Sequence, residues 1–242
     1  MKRVMMKIKA VVGLPLRLAF SLIRLLVIYM PGPTGHGLRY HYYKRRLRHL
    51  GKDVTIGEGV LMFNPEFISI GDNAWIDKYC ILMAGKPHIG QRIVYTKELP
   101  EFTYRTGEIA IGDNCHIAPN CIIQAHGGVQ IGRDVAIGGG TKFYSFVNNY
   151  RDPKHPSNKD IFYTPRAQEN QTCYTLAPIV IGDNVGISVN CLILEGTIIE
   201  RDSYITPFSQ VRGRIQSNTV AGGVPAKRIK ERFSDGTTDT TG

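Results

Sequence analysis

The sequence predicts an all-β fold, a three-sided parallel β-helix, from two observations. From Val54 onward an aliphatic residue returns at every sixth position, and the phrase Ile-Gly-Asp-Asn recurs at Ile70, Ile111 and Ile181. A period of six matches neither an amphipathic helix, at 3.6, nor the alternation of a single strand, at two. It fits a solenoid in which each hexad forms one flat side. Further hexads begin at Ile76, Leu82, Ile117, Ile123, Ile137, Ile187, Ile193, Ile199 and Ile205.

The corners of this solenoid are predicted at the Gly-Asp and Gly-Asn pairs. Tight turns require backbone angles that glycine and asparagine adopt easily. Successive coils would then stack at the ordinary strand spacing of about 4.8 Å. The glycines at 138–140 are interpreted as one such corner and not as a phosphate-binding loop. The five cysteines are interpreted as reduced packing residues, because their count is odd and their contexts are apolar.

The positive charge of the chain is concentrated at its beginning. The formal net charge is +10, yet residues 1–52 contain twelve Lys/Arg and no acidic residue, so residues 53–242 are nearly neutral. We therefore divide the chain into a basic segment at 1–52, a β-helix at 53–232 and a disordered tail at 233–242. A basic block of this kind suits an anionic membrane surface or nucleic acid.

Residues 10–30 predict an amphipathic helix that lies in the membrane interface. The stretch is long enough to cross a bilayer, but Arg17 and Arg24 would be costly at mid-membrane. They share one helical face with Gly13 and Ser21, while aliphatic residues cover the rest. Pro31 ends the helix. The alternative is a helix packed on its own domain or on another subunit; a signal peptide is disfavoured because no small-residue cleavage site follows.

The hexads and the closing phrase Val220-Ala-Gly-Gly-Val-Pro-Ala-Lys227 resemble the hexapeptide-repeat acyltransferase family over about residues 54–232. The resemblance implies a left-handed β-helix, a short C-terminal α-helix and a homotrimer with acyl-CoA between neighbouring subunits. It is greatest to bacterial enzymes that acetylate sugars of capsules, lipopolysaccharides and nucleotide-sugar precursors. Acetyl-CoA is therefore the expected cosubstrate, and the acceptor is a free, nucleotide-linked or lipid-linked sugar. The expected location is the cytoplasmic side of the inner membrane.

Two long interruptions of the repeat, at about 88–108 and 149–177, are predicted to leave the coils at one corner and to border a groove. β-Helices carry function on such loops. In the sugar acetyltransferases that the chain resembles, a catalytic histidine stands near Asn148, where this sequence has none. His126 is the leading candidate for the base, because Ile-Ile-Gln-Ala-His resembles the site of a second branch of the family. His155 in the longer loop and the absence of any base are the alternatives.

Cationic residues near the C-terminus are candidates for the CoA phosphates. Lys227 matches the closing motif of the family, and the others are Arg228, Arg232, Arg212 and Arg214. For Arg212 and Arg214 the alternative is an ordinary solvated face.

The alternatives to acyl transfer are an inactive scaffold, nucleic-acid binding and metal binding. Without a histidine at position 148, the chain could be an inactive trimeric scaffold at the membrane. Nucleic-acid binding is not expected, because no aromatic array or reader motif accompanies the basic segment. No metal is expected: His116 and His126 are ten residues apart, unlike the closer pair of γ-class carbonic anhydrases. His116 is interpreted as a wall residue.

Overall fold

The computed structural model describes residue 18 and residues 21–99, 101–103 and 105–234. Helix α1 is described at 18 and 21–29, and helix α2 spans Gly32–Lys44. The proposed interfacial residues before 18, including Gly13 and Arg17, lie outside the described residues, as does the proposed tail from 235 onward. The break predicted at Pro31 is present, and the chain returns to helix at once.

The body is a left-handed parallel β-helix of seven coils, as predicted, with three sheets that we name A, B and C. Sheet A contains β1 (His49–Leu50), β4 (Ile68–Ile70), β8 (Ile109–Ile111), β11 (Val129–Ile131), β16 (Ile179–Ile181), β19 (Ile198–Ile199) and β22 (Arg214–Ile215). Sheet B contains β2 (Thr55–Ile56), β5 (Trp75–Ile76), β9 (His116–Ile117), β12 (Ala136–Ile137), β17 (Gly186–Ile187), β20 (Tyr204–Ile205) and β23 (Thr219–Gly223). Sheet C contains β3 (Leu61–Phe63), β6 (Ile81–Met83), β10 (Ile122–Gln124), β13 (Lys142–Tyr144), β18 (Leu192–Leu194) and β21 (Gln210–Val211).

The aliphatic residue of each hexad points to the axis, as predicted. Ile76, Ile117 and Ile137 stack in register through sheet B and are at most 1% exposed. Each buried side chain of this size contributes about 1.5–3 kcal/mol of hydrophobic free energy. All five cysteines are buried and unbridged, which confirms their interpretation as packing residues.

Asparagine occupies the left-handed conformation at the corners. Asn73, Asn114 and Asn184 have φ values of 52°, 56° and 53°. Asparagine tolerates this region better than other residues with a Cβ atom. The side chains also bond along the stack, since Asn73 Nδ2 donates to Asn114 Oδ1 at 3.0 Å. The corner residues therefore join successive coils in addition to turning the chain.

Helix α2 contacts the first coil and fastens the end of α1 to it. The guanidinium of Arg39 is fully buried and donates from Nε to the Ile56 carbonyl and from Nη1 to the Met30 carbonyl, both at 2.7 Å. Met30 follows α1, whose last carbonyls have no partner within the helix. Desolvation lowers the pKa of Arg39, so these acceptors are what hold the cation inside. The Gly59 N–H also donates to Ile28 O at 2.9 Å.

The rest of α1 presents an apolar face to solvent. Leu22, Leu25 and Leu26 are 59%, 53% and 58% exposed, whereas Ile28 is only 5% exposed. Packing on the chain's own domain thus accounts for the last turn of the helix and not for this face. Within the part of the chain that the structure describes, no helix combines the length and apolar character needed to cross a bilayer.

The predicted C-terminal α-helix is wrong. Residues Ala226–Glu231 form strand β24, which runs antiparallel to β23. The physical reason is the open edge of sheet B after the last coil. A returning strand satisfies the free backbone groups of β23, whereas a helix would leave them unpaired.

Candidate active site

The edge at which sheet C strands pass into sheet A, which we call the C–A edge, carries both long loops. One connects β6 to β8 and the other connects β13 to β16. The loops pair with each other through β7 (Ile93–Thr96), β14 (Phe146–Asn148) and β15 (Cys173–Leu176). β15 runs antiparallel to β14 and parallel to β7. Two segments far apart in sequence thereby build one ordered wall beside the coils.

His126 lies on the C–A edge directly after β10 and is half-buried. Its Nδ1 is 2.7 Å from the carbonyl oxygen of Gly85, in the coil before. A carbonyl can only accept, so Nδ1 carries a proton, and in the neutral form of the ring the lone pair is on Nε2. The Phe146 ring packs edge-on against the imidazole, with centroids 5.9 Å apart. These contacts fix the tautomer and the plane of the ring in the form that a general base requires.

Gly127 and Ser145 explain why the chain turns as it does after His126. A Cβ atom on Gly127 would lie 2.5 Å from the Ala177 carbonyl oxygen and 2.7 Å from that of Ser145. The Gly127 N–H donates to Ser145 Oγ at 2.9 Å, and that hydroxyl donates to Gln124 O at 2.8 Å. Only glycine permits this close approach of the next coil, which sets the position of the imidazole.

Asn148, near which the sugar acetyltransferases that the chain resembles have a histidine, serves as a loop contact. Its amide nitrogen donates to the Tyr163 carbonyl, which ties β14 to the long loop. Its Oδ1 is buried and has no hydrogen-bond partner among the described residues. A carboxamide does not take up a proton near neutral pH, so Asn148 cannot replace the histidine as a base.

His155 is oriented by a carboxylate that sequence reasoning missed. Its Nδ1 lies 3.1 Å from Oδ2 of buried Asp152, while its own side chain is 72% exposed. Tyr95 donates its hydroxyl to Asp152 at 2.8 Å, and backbone N–H groups add to this. Burial opposes ionisation, but the hydrogen bonds prevail and lower the pKa of Asp152 to about 2. The spacing Asp-x-x-His was the only signal of this pair in the sequence.

Acid titration tests the role of Asp152. A carboxyl with a depressed pKa stabilises the fold above its unfolded pKa of about 3.9, and this stability is lost as the pH falls toward about 2. Tyr95→Phe removes one donor, so we expect acid unfolding, followed by circular dichroism between pH 5 and 2, to begin at higher pH. Exposed Tyr163→Phe is the control and should leave the curve unchanged. An unchanged curve in Tyr95→Phe would show that the hydroxyl does not stabilise the carboxylate.

Known proteins similar to the chain are found by sequence and by fold, although no family model matches the chain. The chain is 34% identical over 125 residues to the Escherichia coli K-12 lipopolysaccharide biosynthesis O-acetyl transferase WbbJ, which covers 52% of this chain and 61% of WbbJ. It therefore spans about three fifths of that relative. It is 28% identical over 185 residues to the Escherichia coli dTDP-4-amino-4,6-dideoxy-D-glucose acyltransferase, covering 76% of this chain and 82% of that one.

Two solved structures share the fold. One is AntD, a Bacillus cereus N-acyltransferase in complex with dTDP and 3-hydroxybutyryl-CoA (TM-score 0.62, 21% identity, 81% of this chain and 88% of that chain). The other is the hexapeptide-repeat acetyltransferase VCA0836 of Vibrio cholerae in complex with acetyl coenzyme A (TM-score 0.53, 19% identity, 87% and 85%). The chain is thus similar in sequence to acyltransferases and in fold to a hexapeptide-repeat acetyltransferase.

The five candidate cations lie in separate places. Arg212 and Arg214 flank the C–A edge in the last coils, whereas Lys227 and Arg228 lie on β24, the edge strand that extends sheet B. Arg232 Nη1 donates to the Ser203 carbonyl at 3.2 Å. A single chain does not bring the five together, and Lys227 is exposed.

Arg212 and Arg214 are already paired with carboxylates. Arg212 lies 2.8 Å from buried Glu195, and Arg214 lies 2.6 Å from both Glu101 and Glu200. Desolvation raises the pKa of Glu195, while the Arg212 charge opposes that rise. Glu195 is a further site residue that sequence reasoning missed, because nothing in a hexad distinguishes a buried corner carboxylate from an exposed one.

His116 lies on the outer wall of sheet B. Its ring stacks on Trp75 with centroids 4.6 Å apart, and Nε2 lies 3.6 Å from Asp77. Across the described ranges, no three side chains of the His, Cys, Asp or Glu type are grouped to hold a metal ion.

Proposed function

We propose that this chain is an acetyl-CoA-dependent acetyltransferase that acylates a sugar hydroxyl or amine for a bacterial surface polysaccharide. The observation that carries the proposal is His126, whose Nδ1–H bond to Gly85 leaves Nε2 ready to accept a proton. The relatives support the same chemistry, since one is named for O-acetyl transfer in lipopolysaccharide biosynthesis and another for acyl transfer to dTDP-4-amino-4,6-dideoxy-D-glucose.

In the proposed reaction Nε2 of His126 takes the proton of the acceptor group as that group attacks the thioester carbonyl. The new bond forms between the acceptor oxygen or nitrogen and the acyl carbon. The tetrahedral oxyanion then collapses, the carbon–sulfur bond breaks, and the imidazolium returns its proton to the leaving thiolate. The Gly85 carbonyl keeps the ring in place and favours its charged form during the transfer.

We place the CoA phosphates at Lys227, the exposed cation of the closing motif. Lys227→Ala is expected to raise the Michaelis constant for acetyl-CoA about 5- to 30-fold, because a charge-assisted hydrogen bond contributes about 1–2 kcal/mol. Turnover should not change, since the contact is equal in ground and transition states. Lys52→Ala, an exposed lysine in the first coil, is the control. If the Michaelis constant for acetyl-CoA is unaltered in Lys227→Ala, the phosphates bind elsewhere, and Arg212 and Arg214 are the next residues to test.

Assembly as a homotrimer is supported by the outer face of sheet C. This face presents two columns of side chains that are largely apolar, and they lead to the C–A edge. The apolar members are Leu61, Phe63, Ile81, Met83, Ile122, Tyr144, Leu192 and Leu194. A flat apolar face of this kind is a typical subunit interface.

Peripheral attachment to the cytoplasmic face of the inner membrane is supported by α1. Its exposed leucines and the basic residues of segment 1–52 match an apolar bilayer boundary with anionic headgroups. The acceptor and the bilayer are accordingly the proposed partners of the trimer, and nucleic acid is not one of them.

An inactive membrane scaffold is the second candidate, favoured by Asn148 where the family has its histidine. Release of free thiol from acetyl-CoA, measured across a panel of sugars and sugar nucleotides, separates the two. Steady turnover that depends on an acceptor supports the enzyme. No turnover with any acyl-CoA would support the scaffold.

A further inference from the structure

We propose that the acceptor is a lipid-linked glycan, delivered to the C–A edge from the bilayer on which α1 rests. This inference rests on the proposed acetyl transfer and narrows its substrate to one class. Three features support this proposal: the chemistry of the α1 surface, the rigid attachment of α1, and the position of His126 along the coils.

The exposed face of α1 suits lipid better than protein. Leu18 and Leu22 lie four residues apart and are 56% and 59% exposed, and Leu25 and Tyr29 continue the same stripe. Segment 1–52 has twelve cations and no acid, and apart from buried Arg39 these charges complement anionic headgroups. A protein partner would have to present acidic residues around an apolar groove, whereas a bilayer already combines anionic headgroups with an apolar interior.

The attachment of α1 is rigid, so the helix fixes how the β-helix stands on the surface. Arg39 joins the end of α1 to β2 of the first coil, through Met30 O and Ile56 O. The bond from Gly59 to Ile28 adds a second point of attachment on that coil. If α1 served only to raise the concentration of the enzyme at the membrane, a flexible connection would be enough, and no buried guanidinium would be needed at the end of the helix.

His126 lies close to the membrane end of the C–A edge. It follows β10 in the third coil, two rungs from the coil that holds α1, or about 10 Å along the axis. Lys227, proposed for the CoA phosphates, lies at the opposite end, beside the seventh coil. The two substrates therefore approach from opposite ends, with acyl-CoA from the cytosol and the acceptor from the headgroup region.

The test compares one sugar in two forms with the full-length enzyme. Each sugar of the panel is supplied either as a polyprenyl diphosphate conjugate in phosphatidylglycerol vesicles or as its soluble nucleoside diphosphate. We expect kcat/KM to be at least about tenfold higher for the vesicle form, because the enzyme and the acceptor share one surface. Equal or better use of the soluble form would overturn the proposal while leaving the proposed acetyl transfer intact.

Variants of α1 show whether the preference comes from the helix. Leu22→Glu with Leu26→Glu adds negative charge to the exposed face of α1 and should abolish the preference for the vesicle-bound acceptor. Turnover of the soluble acceptor should not change. Val189→Glu with Phe208→Glu adds the same charge at exposed positions on another corner and should keep it. A preference that survives in the α1 variant, or wild-type enzyme that fails to sediment with the vesicles, would overturn the proposal and point to a protein partner for α1. Absence of turnover with both forms would instead refute acetyl transfer itself.

Discussion

Replacing His126 with Ala is expected to lower turnover about 10²- to 10⁴-fold, the usual contribution of a positioned base. The side chain is half-buried on the C–A edge and contributes nothing to the axial core. Binding of acetyl-CoA and thermal stability should therefore change little. Steady-state assays with saturating acetyl-CoA, together with a thermal melt, measure both quantities. His126→Gln is the matched variant, since it keeps a polar group near Gly85 O without a basic nitrogen.

His155→Ala is the control for His126, because its imidazole is also held by a neighbour yet lies mostly in solvent. We expect it to retain most of the wild-type turnover. The companion change Asn148→His introduces the histidine that the enzymes this chain resembles have near this position, two residues from Phe146, whose ring touches His126. It should recover part of the activity of His126→Ala if both positions face one acceptor. Near-normal turnover in His126→Ala would move the base to the long loop or show that none is needed.

Arg39→Met is expected to reduce the free energy of unfolding by about 2–4 kcal/mol. Methionine retains much of the stem volume but leaves the Ile56 and Met30 carbonyls without their donor. Hydrogen bonds from a charged group contribute about 1.5–3 kcal/mol each. Relief of the desolvation that lowers the pKa of Arg39 offsets part of that loss. Urea unfolding followed by circular dichroism gives the difference.

Arg46→Met provides the matched control on the segment that follows α2. This guanidinium lies over the Tyr42 ring at 3.6 Å and is exposed. Its loss should change stability by less than about 1 kcal/mol. Equal unfolding midpoints for the two variants would mean that the buried guanidinium does not fasten α1 to the first coil.

Much of the fold was predictable because the β-helix is built from local signals. Each hexad specifies its own inward residue, and Asn114 or Asn184 specifies its own corner. Because these signals repeat, a wrong prediction for one coil does not alter the prediction for the next coil. The C-terminal strand β24 was not predictable in this way, because its pairing depends on the open edge of β23 and not on the residues at 226–231 themselves.

The candidate site was predictable only in part. The motif around His126 identified the residue, but not what orients it, since Gly85 lies 41 residues earlier and is brought near by stacking of the coils. Asp152 contacts Tyr95 across 57 residues and two loops that pair with each other. Contacts between the two inserted loops do not recur with a fixed period, so no local sequence pattern predicts them.

A structure with bound coenzyme A would test whether His126 is the catalytic base. We expect the CoA sulfur to lie on the C–A edge, about 3–5 Å from Nε2 of His126, so that an acceptor atom fits between the acyl group on that sulfur and the base. The Nδ1 contact to Gly85 should persist in that complex. A sulfur bound beside His155, or more than about 10 Å from His126 and thus beyond two rungs of the coil, would contradict the assignment of the base.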